Sequence, residues 1–252
     1  MKIAESIARL GNKLLSLIAV LLILLLFSYG AYSLWDIYRI NNNAFVSDSL
    51  LRYKPDGIHS PGFNELRKQN PDVKAWITVD DTHIDYPVLQ GSRWNEYLHK
   101  DYKGEYCYAG SIFLQPETSF EDKHLILYGH NMRTRSMFGS LHEFESEDFY
   151  KKHNKIYLYQ PGKTIKCTIY SVYDCLDKSA TYNTDFSDDG NDNKWVDWLT
   201  MTVNNNAYYP IKKKPAEKDH IITLSTCSGK QKGDSYRFVV HSLVTDTVIY
   251  EE

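Results

Sequence analysis

The chain has 252 residues and a formal net charge of −3, with 24% of its residues charged. That length holds one good-sized domain plus extras, and the charge balance excludes a basic nucleic-acid binder. With 20 tyrosines and 14% aromatic residues, the composition favours a β-rich domain with an aromatic-lined core or surface.

Lys2, Arg9 and Lys13, opposed only by Glu5, precede residues 14–35, a stretch of 22 residues without a charge. At about 1.5 Å per residue such a helix spans roughly 33 Å, enough for a bilayer. The positive-inside rule makes residues 1–13 a cytoplasmic tail and residues 14–35 a membrane anchor, with everything after Trp35 outside the cell. The competing reading is a cleaved signal peptide with its apolar core at 14–27 and a cut near Ser28-Tyr29-Gly30 or Ala31-Tyr32-Ser33. Apolar sequence continuing to Leu34-Trp35 favours the anchor. Residues 1–13 hold three basic side chains and one acidic, so the remainder carries −5.

Residues 36–62 read as a polar, partly helical stalk ending at Pro61-Gly62. A short helix over 63–69 stops at Asn70-Pro71. Strand patterns follow at 75–78 and 84–88, with Asp80-Asp81 as the turn, then a helical turn at 94–99 and strands at 110–114 and 124–128. A helix is expected over 144–152, and strands over 156–159 and 163–173. Trp195, Trp198, Leu199 and Val203 recur at helical spacing within 191–204. Strands at 221–224 and 236–244 close the series, the second continuing or breaking into 247–250. Many short strands with few helices between them predict a mainly β fold, a closed or nearly closed β-barrel decorated by helices.

The four cysteines are Cys107, Cys167, Cys175 and Cys227. An even count outside the cell invites disulfides. Cys167 and Cys175, however, fall near opposite ends of one predicted strand and cannot meet if it stays extended. A nucleophilic Cys227 must also stay free, so no structural disulfide is expected.

Cys227 is the most informative residue. The β-branched run Ile221-Ile222-Thr223-Leu224 delivers it to a strand end. Gly229 and Gly233 then bracket a polar turn, and Arg237 opens the next strand. Paired as a hairpin, the two strands set Cys227 opposite Arg237. A thiol beside a fixed guanidinium suits acyl transfer, and the missing acid/base partner is His130. It follows a second apolar run, 124–128, and a glycine that permits a sharp exit. Each residue alone has a dull explanation: a core histidine, a small buried thiol, a salt-bridged arginine. Their joint placement at strand ends argues for a site.

Metal sites are not expected. Asp188, Asp189 and Asp192 lack the alternation and terminal Glu of a calcium loop, and the nine histidines show no paired spacing with cysteine. No cofactor is expected either.

From about Phe63 to Val244 the sequence resembles the class B sortases, membrane-anchored transpeptidases of Gram-positive bacteria. The resemblance is carried by Ala75-Trp76-Ile77, by Thr82-His83-Ile84-Asp85-Tyr86-Pro87-Val88-Leu89-Gln90 and by Ala109-Gly110-Ser111-Ile112-Phe113-Leu114. It continues through Leu127-Tyr128-Gly129-His130-Asn131-Met132, Ser136-Met137-Phe138 and Thr223-Leu224-Ser225-Thr226-Cys227. It implies a catalytic domain over 63–252 with Cys227 as nucleophile, His130 as acid/base and Arg237 as third catalytic residue. A free thiol is only a few per cent ionised near pH 7, so the neighbouring charge of Arg237 favours the reactive thiolate.

The implied substrates are secreted proteins with a C-terminal sorting motif, cut after Thr through a thioester. A lipid-linked peptidoglycan precursor would supply the acceptor amine at the membrane. Ser225, two residues before Cys227 on the same strand face, is a candidate border of the motif groove or a plain barrel-lining hydroxyl. Tyr182 falls in the region resembling the family's specificity loop, and Leu98 is a candidate pocket wall or a core residue. Competing readings are a sortase that polymerises pilin subunits, a membrane-anchored cysteine peptidase and a catalytically silent binding module.

Overall fold

The computed structural model describes residues 2–55, 61–186, 193–205, 207–229 and 235–250. The chain divides into two units, Met1–Asn42 and Asn43–Glu252. The first is formed by helix α1 (Lys2–Asn43), whose segment Glu5–Tyr38 has a mean hydropathy of 2.6 and is long and apolar enough to cross a membrane. The helix runs beyond the uncharged stretch at both ends, so part of the expected stalk is helical.

The second unit opens with α2 (Asp48–Leu51) and α3 (Pro61–Gln69). Phe63 and Leu66, three residues apart on one face of α3, are fully buried. Each contributes about 1.5–3 kcal/mol of burial. They pack with Trp76, Leu89, Tyr97 and Phe113 in one core cluster.

Among the described residues eight strands follow: β1 (Val73–Val79), β2 (Asp85–Leu89), β3 (Ile112–Leu114), β4 (His124–Tyr128), β5 (Lys155–Gln160), β6 (Lys163–Leu176), β7 (Ile221–Cys227) and β8 (Tyr236–Ile249). They close into a barrel in the order β1-β2-β3-β4-β7-β8-β6-β5. β2–β3 and β4–β7 pair parallel and the other neighbours antiparallel. Closure leaves none of these eight strands at an open sheet edge. The last strand is continuous to Ile249 and absorbs its length through register shifts against β6 between Lys166 and Cys167 and between Ile169 and Ser171.

The helix expected over 144–152 is divided. A 3-10 segment covers Gly139–Glu145, and α4 (Glu147–Lys152) starts anew because Ser146 caps it, its hydroxyl accepting from the Phe149 amide. Helix α5 (Lys194–Asn204) carries the expected tryptophan stripe. Trp195, Trp198 and Leu199 are buried against Tyr170, Ile221 and Leu243, as packing residues. The acidic turn with Asp188, Asp189 and Asp192 lies outside the described residues.

Candidate active site

β7 is buried from Ile221 to Thr226 and then exposes Cys227, so the strand presents its terminal thiol to solvent. The hairpin register pairs Cys227 with Arg237, as the turn spacing predicts. On its other side Arg237 pairs with Cys175 of β6. The two cysteines are therefore separated by two strand spacings, roughly 9–10 Å, beyond disulfide reach. Cys167 is fully buried and its thiol is pushed up to about 12 by burial, which leaves it inert beside the exposed Cys227. Arg237 is about a quarter exposed; one Nη donates to the Tyr236 carbonyl at 3.3 Å and the other lies 3.8 Å from the Asp177 carboxylate.

Parallel pairing of β4 with β7 brings the histidine to the same barrel end. Tyr128 registers with Ser225, and His130 and Cys227 each lie two residues beyond. The Gly129 amide donates to the Ser225 carbonyl at 3.3 Å, and the Thr226 hydroxyl donates to the Gly129 carbonyl at 2.8 Å. Gly129 is needed for space: a Cβ there would lie 2.9 Å from the Phe138 ring.

His130 is half-buried, and its Nε2 donates to the Leu98 carbonyl at 2.9 Å. Burial pushes its pKa down, the Leu98 bond opposes this, and the nearby His99 adds to the depression. The ring is therefore neutral near pH 7. Since Nε2 carries the proton, Nδ1 is the free base. His99 and Tyr108 frame the ring at centroid distances of 5.4 and 6.4 Å.

Leu98 thus enters the site through its backbone, while its side chain packs against the Trp76 cluster. Gly110 makes this possible. Its φ is +59°, and a Cβ there would sit 2.2 Å from the Leu98 carbonyl oxygen.

Ser225 is buried and shares a 2.8 Å hydrogen bond with the half-buried Tyr182 hydroxyl. Burial raises the Tyr182 pKa, so the phenol is neutral. Tyr182 and Tyr128 stack with centroids 6.4 Å apart.

Sequence reasoning missed three residues around Cys227. The Asn131 amide donates to the Cys227 carbonyl at 2.8 Å and lies 3.1 Å from His142 Nε2. His142 Nδ1 is 2.7 Å from the Glu145 carboxylate, and the ring stacks on Phe238 at 4.4 Å. Asn131 stood in a quoted motif, but nothing in the spacing linked His142 to Cys227. These side chains, with Met132 and Arg133, line a cleft of about 520 Å³ that includes Cys227. Among the described residues, no three or more His, Cys, Asp or Glu gather in a metal-holding group.

The sortase domain family matches residues 77–244. Sortase B of Listeria monocytogenes is 34% identical over 216 residues, covering 81% of this chain and 86% of that protein. The structure of Clostridium perfringens sortase B matches with a TM-score of 0.67 at 31% identity, covering 73% of this chain and all of that one. A Staphylococcus aureus sortase B–substrate complex matches with a TM-score of 0.68 at 27% identity, over 85% and 95% of the two chains. Sequence, barrel and solved relatives agree: this chain belongs to the sortase family, as a class B cysteine transpeptidase.

Proposed function

We propose that this transpeptidase cuts a C-terminal sorting motif after Thr and joins the new carboxyl end to an amine of a lipid-linked cell-wall precursor. Cys227 is the nucleophile, His130 the acid/base and Arg237 the stabilising cation. The carrying observation is the pairing of the exposed Cys227 with Arg237 across the β7–β8 hairpin, next to the parallel strand β4, which leads into His130 two residues past its end. The solved complex of the Staphylococcus aureus relative with a substrate supports a peptide groove in this fold.

Neutral His130 accepts the thiol proton at Nδ1 as sulfur attacks the carbonyl carbon of the motif threonine. Arg237 favours the thiolate and the oxyanion of the tetrahedral intermediate. The C–N bond breaks, and the imidazolium returns its proton to the leaving amine. The acceptor amine then attacks the thioester, gives a proton to His130 and releases Cys227. Ser225 and Tyr182 border the motif groove, and Leu98 holds His130 from the other side. Helix α1 anchors the chain, with residues 1–13 cytoplasmic and 63–252 outside, facing secreted substrates and membrane-borne acceptor.

The test incubates the full chain in detergent with a library of quenched sorting-motif peptides, with and without amine acceptors, beside Cys227→Ala. A motif-selective acyl adduct on Cys227 and amine-dependent product support the reading. Release to water regardless of amine would recast the protein as a peptidase. No adduct from any peptide, in folded protein, would sink the proposal.

A further inference from the structure

Thr223, Ser225 and Cys227 alternate along β7 and therefore share one face of the sheet. Cys227 ends this row and Ser225 holds Tyr182. Thr223, at the bottom, lies in a fully buried polar chain that the catalytic roles leave unexplained. His124 Nδ1 lies 2.7 Å from the Asn183 carbonyl, and its Nε2 is 2.8 Å from the Thr223 hydroxyl. That hydroxyl is 2.7 Å from His241 Nδ1, whose Nε2 is 2.8 Å from the Tyr173 hydroxyl. The Tyr173 hydroxyl is 3.1 Å from Thr181 Oγ1. None of these five side chains is more than 1% exposed.

The proton positions follow from one end. A carbonyl only accepts, so His124 donates from Nδ1 and, when neutral, accepts at Nε2. Thr223 spends its single proton there and must accept from His241 Nδ1. His241 Nε2 then accepts from Tyr173, and Tyr173 accepts from Thr181. With both rings neutral, every bond runs in one direction. Burial agrees, holding His124 down to about 4 and His241 well below its ordinary range.

Both ends of the chain land on one short segment. Thr181 and Asn183 flank Tyr182 in the 3-10 turn Ala180–Tyr182 and its exit. A third pin comes from α5, where Trp198 Nε1 donates to the Ala180 carbonyl at 3.0 Å while its ring packs 4.2 Å from His124. Four strands (β4, β7, β8 and β6) thus contribute side chains that converge on the residues either side of Tyr182.

We propose that this buried chain is a clamp that fixes Tyr182 in the wall of the sorting-peptide groove, with His124, Thr223, His241, Tyr173 and Thr181 as positioning residues. Their role is to preset the groove for the peptide before it binds, which acts on affinity more than on the chemical step. The link to peptide rests on the reading of Tyr182 and Ser225 as groove residues. The clamp itself does not.

The experiment compares wild type, Thr181→Val, Thr181→Ser and Tyr173→Phe in the full chain, reading amide exchange at 180–183 together with peptide-cleavage kinetics. Thr181→Val and Tyr173→Phe break the chain at different links, and Thr181→Ser keeps the hydroxyl. Both breaks are expected to speed exchange at 180–183 and raise KM about fivefold, with kcat held within about twofold. Thr181→Ser should match wild type. Unchanged exchange and KM in both breaking variants would overturn the clamp. So would a fall in thermal stability with KM untouched, because that is the signature of packing alone. A wild-type chain that cleaves no peptide removes the functional reading instead, and exchange at 180–183 still decides the clamp.

Discussion

The Thr226 side chain donates a 2.8 Å hydrogen bond to the Gly129 carbonyl, tying the residue before Cys227 to the residue before His130. Thr226 is only 3% exposed, so water cannot replace this bond. With the Gly129 amide on the Ser225 carbonyl, it extends the β4–β7 pairing past its last registered residues. The spacing of Cys227 and His130 is therefore set by a side-chain rung between parallel strands.

Thr226→Val keeps the shape and deletes the rung. It leaves the Gly129 carbonyl without its donor, a loss of about 1–3 kcal/mol. Acylation of Cys227 should slow about tenfold, since a small misplacement of reacting groups is amplified in rate. Thr226→Ser should retain most of the activity. The check is the rate of adduct formation by mass spectrometry; a Val variant that acylates at the wild-type rate would show that the rung does not set the site.

Asn131→Ala removes the 2.8 Å donor to the Cys227 carbonyl and opens the contact with His142. The peptide unit after Cys227 is then held only by His142 Nε2, 3.3 Å from the same carbonyl, and by the Ser228 amide on the Tyr236 carbonyl, so it shifts together with any backbone N–H that serves the oxyanion. The expected result is a kcat lowered by about 10–100-fold with KM changed by less than about threefold. Asn131→Asp should be worse, because it sets a negative charge against a carbonyl oxygen. Equal loss in KM and none in kcat would place Asn131 in binding instead.

Much of this site was legible because its residues lie at strand ends, and strand ends follow from apolar runs and their breakers. The facing of Cys227 and Arg237 needed only two strands and a short turn. His130 needed the crossover that sets β4 beside β7, which no local pattern specifies. Leu98 read as a wall because an apolar residue is judged by its side chain, whereas its carbonyl does the work on His130. The division of 139–152 at Ser146 depended on one capping hydroxyl inside an otherwise helical pattern. His124, Thr223 and His241 looked like ordinary strand residues because their alignment depends on the registers of three strands at once.

Gly110→Ala tests how His130 is held. The new Cβ would collide with the Leu98 carbonyl at 2.2 Å, in a backbone region that L residues rarely occupy. Displacing that carbonyl removes the hydrogen bond that raises the His130 pKa, while burial and His99 still lower it. The His130 titration midpoint should therefore move further down, and stability should fall by about 1–3 kcal/mol. Histidine Cε1 proton shifts followed against pH in wild type and variant give the answer. An unchanged or raised midpoint would mean that Leu98 does not govern this ring.

Acid should weaken the fold before the carboxylates respond. His124 is held to about 4 by burial and His241 well below its usual value, while both take protons near 6.5 once unfolded. Well above pH 6.5 neither state binds these protons and stability is at its full value. As pH falls from 6.5 towards 4 the unfolded chain binds protons that the folded one refuses, so stability drops. For His124 alone the loss is on the order of 3 kcal/mol by the lower limit. His130, shifted in the same direction, adds to it. Carboxylates such as Glu96, held low chiefly by its hydrogen bond to Lys100, remain ionised through most of that window and do not mask the effect. Urea midpoints at pH 7, 6, 5 and 4.5 should fall steadily, with the steepest loss starting near 6.5. A flat profile down to pH 5 would show that the buried imidazoles are protonated in the fold and that the one-directional chain through Thr223 is drawn wrongly.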